Sequence, residues 1–226
     1  MLRVGALLWT LRVPPNESTQ SVARGRSHAE RGNEVVSWVL DSRDRAMKWL
    51  AIVLQCVATC VVYGVIHDQF TVRICLEYFT IGHPPVFPTV NPTLLALGWG
   101  VIASWWVGVL VGIPLASSAR FGSWPKREPR TLVRPLIYLM AASFVFAGCA
   151  GVAGWIAASN GWVHLTGRMA KAVPADRHIP FLVDLWSHDA SYLAGTVGGF
   201  TLIIATLFSR QSAASTEAAT NTRNSP

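Results

Sequence analysis

Two histidine–aspartate pairs, His67-Asp68 and His188-Asp189, each stand beside a long apolar stretch, the first just after residues 49–66 and the second just before residues 190–208. If both stretches are helices crossing the same membrane, the two pairs lie at similar depth and can be neighbours. Imidazole with carboxylate is a donor set for zinc or another transition metal. The carboxylate equally suits an outer shell that orients a ligating imidazole, and the same pairing transfers protons near neutral pH. The candidate metal ligands are therefore His67, Asp68, His188 and Asp189. Around them, in the segments facing the same side, fall Arg73, Glu77, His83, His164, Asp176, Arg177, His178 and Asp184, a candidate polar network. Of the histidines, only His28 falls elsewhere. The spacing matches no short ligand motif such as HExxH. A structural reading stays open beside the chemical one. Polar residues at helix ends serve as caps, with Asp189 capping the helix at 190–208 and Asp68 a following one. A third reading makes His67 and His188 axial ligands of a b-type haem held between two helices.

The elements that must position these residues are membrane spans. Of 226 residues, 51% are hydrophobic and only 14% charged, with mean hydropathy +0.37 and net charge +7. Soluble domains carry about 25% charged residues, so an ordinary water-soluble globule is excluded for most of the chain. Four charge-free stretches, residues 49–66, 94–116, 135–159 and 190–208, approach or exceed the roughly 20 residues that cross a bilayer core. Lipid offers no partner to backbone groups, so each stretch is expected to be helical. The fold class is an all-α membrane protein: a four-helix transmembrane bundle with two structured outer loops. Pro135 is expected to open the third span, and Pro114 to kink or end the second. Small residues recur at four-residue spacing, among them Cys56, Cys60 and Gly64, Gly108 and Gly112, Ala147 and Gly151, and Gly195 and Gly199. Such ridges let helix backbones approach closely in lipid. On this reading Gly108 and Gly195 are both contact positions.

Arginine and lysine set the orientation. Arg43, Arg45 and Lys48 precede the first span; Arg120, Lys126, Arg127, Arg130 and Arg134 lie between the second and third; Arg210 follows the fourth. The other side has only Arg73, Arg168, Lys171 and Arg177. Both termini are thus expected in the cytoplasm, with the protein multi-pass in the cytoplasmic membrane. The partners are the lipid bilayer and either a second copy or another membrane subunit. The arginines flank spans rather than forming a basic domain, which argues against nucleic acid. Residues 1–46 read as a disordered or loosely helical cytoplasmic tail. It contains one short apolar run, Val4 to Leu11, and a candidate surface helix, Glu34 to Arg45. Met47-Lys48 before an apolar run also looks like a translation start, which would make residues 1–46 an upstream extension. A cleaved secretory signal is the rival for the first span. Residues 47–208 form the transmembrane domain, and residues 209–226 read as a disordered tail. Cys56, Cys60 and Cys149 lie in spans with only Cys75 outside, so no disulfide framework is expected.

The first outer loop carries HDQFTVRICLEYFTIGHPP from His67 to Pro85. It reads as an interfacial helix with Phe70, Ile74, Tyr78 and Ile81 on one face and an Arg73–Glu77 pair, followed by an extended proline-rich strap. The second carries PADRHIPFLVDLWSHDASY, in which Arg177 and Asp176 are placed to pair with the first loop and Pro180 to Ser187 to lead into the last span. The HDQ, EYFTIGHPP and PADRHIPFLVDLWSHDASY stretches resemble those of bacterial four-span membrane proteins with no assigned activity, over roughly residues 47–208. The resemblance implies the span count and no mechanism. The functional expectation is a non-enzymatic structural, assembly or binding protein with a His/Asp-rich outer cap. The alternatives are a cation- or proton-handling transport component and a membrane metal or haem protein.

Overall fold

A computed structural model describes the backbone of residues 28–223 and the side chains of residues 33–223. Seven α-helices occur among these residues: α1 (His28–Ile74), α2 (Leu76–Thr80), α3 (Pro92–Ile102), α4 (Trp105–Arg120), α5 (Pro129–Ser159), α6 (Gly167–Ala172) and α7 (His178–Arg223). A 3₁₀ turn, Ala175–Arg177, precedes α7, and no strand is present among the described residues. The chain divides into two units at Asp44 and Arg45. In the first, the described turns expose Val35, Trp38 and Leu40, while the Ser37 and Ser42 hydroxyls donate back to the carbonyls of Glu34 and Val39. The second holds the bundle. The Glu34–Arg45 segment is helical; the Val4–Leu11 run lies outside the described residues.

Four helical segments are long and apolar enough to cross a membrane: Asn33–Ile74, Pro92–Arg120, Pro129–Ser159 and Ala175–Arg223. Their most apolar windows are only 11–28% buried within the chain. Leu54, Val62, Leu110, Val145, Val152, Val197 and Phe200 all face outward. A surface this apolar is suited to lipid rather than water. The protein is an all-α four-helix bundle of the integral membrane class.

Several expected boundaries shift, each for a local reason. The third span starts at Pro129 rather than Pro135, with proline in the first turn, where its missing amide costs nothing, and Pro135 inside the helix. α4 runs through Pro114 to Arg120. The interruption in the second span comes instead at Ala103 and Ser104, between α3 and α4. There the Ser104 hydroxyl donates to the Gly100 carbonyl, an i−4 back-bond that competes with the helical ladder. Residues 209–223, expected as a disordered tail, continue α7.

Packing is close where glycine allows it. A Cβ on Gly108 would stand 2.5 Å from Val57 Cα, and one on Gly100 2.5 Å from Val65 Cα, so α1 lies backbone to backbone against α3 and α4. Gly195 is different: a Cβ there meets nothing within 4 Å, so it is not a contact position. α5 and α7 pack along each other, and α4 adds its own contact with α7. At the basic end, Ile52, Val53, Cys56, Leu115, Ala116, Ala119, Leu132 and Leu136 form one buried cluster. Arg210 closes that end. It is 1% exposed, and its guanidinium donates to the carbonyls of Ser118, Phe121, Trp124 and Pro125, which binds the 121–128 connection to α7.

Gly108→Ala should destabilise the protein in detergent by about 1–3 kcal/mol, because the new methyl group meets backbone that cannot yield locally. Gly195→Ala should be neutral or stabilising by up to about 1 kcal/mol through helix propensity. Thermal unfolding midpoints of the two variants check the contrast, and equal midpoints would remove the packing argument.

Candidate functional site

At the opposite end of the bundle, α1 and α7 bring His67, Asp68 and His188 together. All three are buried, and one ligand atom from each lies within 4.8 Å of the others. The His188 Nε2 atom stands 3.3 Å from Asp68 Oδ1. His188 Nδ1 donates to the carbonyl oxygen of Asp184, 2.7 Å away and one turn earlier on α7. His67 Nε2 is buried with no hydrogen-bond partner among the described residues. The two imidazole rings meet edge to face, centroids 4.7 Å apart.

The chemistry follows from the hydrogen bonds. A carbonyl oxygen only accepts, so His188 carries its proton on Nδ1 and presents a lone pair at Nε2 when neutral. That lone pair faces a carboxylate oxygen, which also only accepts when ionised. Beside them His67 offers a third ring nitrogen. A proton on His188 Nε2 makes the contact with Asp68 a hydrogen-bonded ion pair; a metal cation satisfies the same atoms, and imidazole nitrogen with carboxylate oxygen is a donor set that zinc and ferrous ions accept.

Neighbouring groups position this cluster. The Tyr63 and Ser191 hydroxyls, 2.7 Å apart, tie α1 to α7. Tyr78 stacks on His188 at 4.6 Å, and Tyr63 on His67 at 5.7 Å. A cavity of about 100 Å³ adjoins the cluster, lined by His67, Asp68, Tyr78, His83, Ser143 and His188, and by Ala103 and Ser104 at the break in the second span. Non-helical backbone at membrane depth is tolerated where it lines such a cavity, and Tyr192 donates to the freed Ala103 carbonyl at 3.5 Å. Ser143 Oγ faces the same region with no partner among the described residues.

The other candidates divide. Asp189 is exposed, turned away from the cluster within α7, and neither it nor Asp68 caps a helix, since both lie inside one. Asp184 is fully buried, and neither carboxylate oxygen has a hydrogen-bond partner among the described residues. His83 joins the cavity wall: its Nδ1 donates to the Tyr78 carbonyl at 2.8 Å, and its ring lies 4.6 Å from that of Trp99. Burial pushes the His83 imidazole below its ordinary value despite that carbonyl, so it stays neutral at pH 7. Glu77 pairs with Arg177 at 2.9 Å rather than with Arg73, and Arg177 also donates to the Ile74 carbonyl, so the two outer segments are joined as expected of Arg177. Arg73 instead bonds the Gln69 side chain and Thr93. His178 donates to the Val173 carbonyl, while His164 and Asp176 are exposed. The haem arrangement does not fit. His67 and His188 touch edge to face, which leaves no room for a macrocycle between them.

Tyr63, Ser104, Ser143 and Ser191 escaped the sequence reading, and Tyr78 was placed only on the apolar face of a helix. Hydroxyl and aromatic residues within apolar runs carry no spacing signal of their own. The segments around the cluster form a second buried core of Val72, Cys75, Tyr78, Phe79, Leu95, Ala96, Trp99, Val173 and Phe181. Within it burial raises the Cys75 thiol to about 11, so Cys75 is a neutral packing residue. All four cysteines are free.

The fold and this polar layer define a multi-pass membrane protein with a buried imidazole–carboxylate cluster at one end of its bundle. No family model, no curated protein and no solved structure matches the chain.

The Glu77–Arg177 pair makes stability depend on pH. Partial burial opposes ionisation of Glu77, but the hydrogen bonds from Arg177 and from neighbouring groups outweigh it and hold the carboxyl below its ordinary value of 4.5. A carboxyl whose value is lowered by folding contributes above the unfolded value and loses that contribution as pH falls through the folded one. Glu77→Gln should therefore cost at most about 1 kcal/mol at pH 7, as for other partly exposed ion pairs. The difference from the parent should shrink below pH 4.5. Unfolding midpoints measured across that range check both the size and the sign.

Proposed function

We propose that the protein is a binding component of the cytoplasmic membrane that holds a transition-metal dication at its outer end through His67, Asp68 and His188. One observation carries this reading: three buried donor atoms from two helices converge within 4.8 Å, with His188 Nε2 3.3 Å from Asp68 Oδ1. A bound cation compensates the desolvation of the buried Asp68 carboxylate. The Asp184 carbonyl acts as the outer-shell partner that fixes the tautomer of His188. With three protein ligands, the adjoining cavity of about 100 Å³ has space for water to complete a coordination sphere.

The basic residues at the ends of α4 and α5, with Lys48 and Arg210, favour placing that end in the cytoplasm and the metal cluster on the outer side. The HDQ and WSHDASY stretches supply the donors: His67 and Asp68 from one, His188 from the other.

Metal analysis of the purified full chain, followed by titration of the stripped protein with Zn²⁺, tests the proposal. About one ion should bind per chain. His67→Ala or His188→Ala should weaken it by more than the roughly 10–100-fold that loss of an outer-shell partner costs. Asp189→Ala should leave it intact. A protein that binds no Zn²⁺, or one in which Asp189→Ala is as damaging as His67→Ala, would contradict the assignment.

A further inference from the structure

We propose a second site at the basic end of the bundle, independent of the metal cluster: a cleft that binds the phosphate headgroup of an anionic phospholipid. The cleft encloses about 640 Å³ and is lined by Arg45, Trp49, Arg120, Phe121 and Lys126. Arg120 is the central observation. It is 7% exposed, and its Nε atom is buried with no hydrogen-bond partner among the described residues. Its Nη1 reaches the Glu128 carboxylate and the Arg127 carbonyl, at 3.3 and 3.2 Å. Glu128 is shared, since Lys48 also approaches it at 3.3 Å. Lys126 adds another positive charge at the rim.

The remaining wall is apolar. Trp49 and Phe121 lie parallel with centroids 6.5 Å apart, and Trp49 donates its indole proton to Ser117 at 3.3 Å. Phe121 is 63% exposed. Trp49 begins the charge-free run of α1 and Arg120 ends α4, so the cleft sits at the membrane boundary. Basic side chains beside an aromatic wall at that depth match an anionic amphiphile, its phosphate toward Arg120 and Lys126 and its chain along the rings. Free phosphate satisfies only the charges.

Electron paramagnetic resonance of the full chain in phosphatidylcholine vesicles, with trace spin-labelled phosphatidylglycerol or spin-labelled phosphatidylcholine, measures the motionally restricted fraction of each lipid. Phosphatidylglycerol should associate at least about fivefold more strongly, the effect of one basic residue. Lys126→Gln and Arg120→Gln should each lower that preference about fivefold. Arg134→Gln, an exposed basic residue outside the cleft, should preserve it, and excess inorganic phosphate should not displace the lipid. If Arg120→Gln does not fold, the exposed Lys126→Gln carries the comparison. Equal restriction of the two lipids would overturn the proposal. So would a preference unchanged in Lys126→Gln, an equal loss in Arg134→Gln, or displacement by inorganic phosphate.

Discussion

A carbonyl oxygen cannot donate, so the 2.7 Å contact between His188 Nδ1 and the Asp184 carbonyl decides where the imidazole proton sits and where its lone pair points. The other ring nitrogen meets the Asp68 carboxylate inside the bundle, 3.3 Å away, with both residues buried. Much of the surrounding structure holds the two helices at the separation this contact requires. Tyr63 and Ser191 lock α1 to α7 beside the cluster, the Glu77–Arg177 pair joins the outer segments, and Tyr78 packs flat on His188. The Gly100 and Gly108 contacts bring α3 and α4 against α1 as well, and Gly100 lines the same cavity as His67 and Asp68. Both His67 and its neighbour Asp68 are buried where α1 meets α3 and α7 around one cavity.

The spans were legible because lipid leaves a coarse mark on sequence, a run of about twenty residues without charge. Helix ends were not. Beyond Arg210, residues 211–223 are small or polar and nearly all exposed, so no apolar pattern reports that α7 continues through them. The break at Ala103 and Ser104 carries no proline or glycine of its own. It coincides with a serine back-bond, and both residues line the cavity, relations that sequence spacing does not encode. Gly108 and Gly195 look alike in sequence, yet only Gly108 faces a neighbouring backbone.

The polar layer was legible in part for a similar reason. Placing His67-Asp68 and His188-Asp189 at one membrane depth follows from where the apolar runs stop and start. Which members of each pair face inward depends on helix rotation. Successive residues of an α-helix point about 100° apart, and α7 turns His188 into the bundle and Asp189 out of it. The Glu77 partner was misread as Arg73 because local spacing cannot compete with a contact made a hundred residues away, at Arg177.

The two ends of the bundle solve different electrostatic problems. At the basic end Arg210 spends its donors on four backbone carbonyls and acts as a structural clamp, whereas at the other end His67 Nε2 and both Asp184 carboxylate oxygens are buried with no hydrogen-bond partner among the described residues. X-ray absorption at the edge of the metal bound by the purified protein examines that second end most directly. With zinc, the account predicts two imidazole nitrogens at about 2.0–2.1 Å and oxygen ligands completing the shell. A sulfur scatterer at about 2.3 Å, which would bring in Cys60 from the cavity wall, or a shell without imidazole, would contradict it.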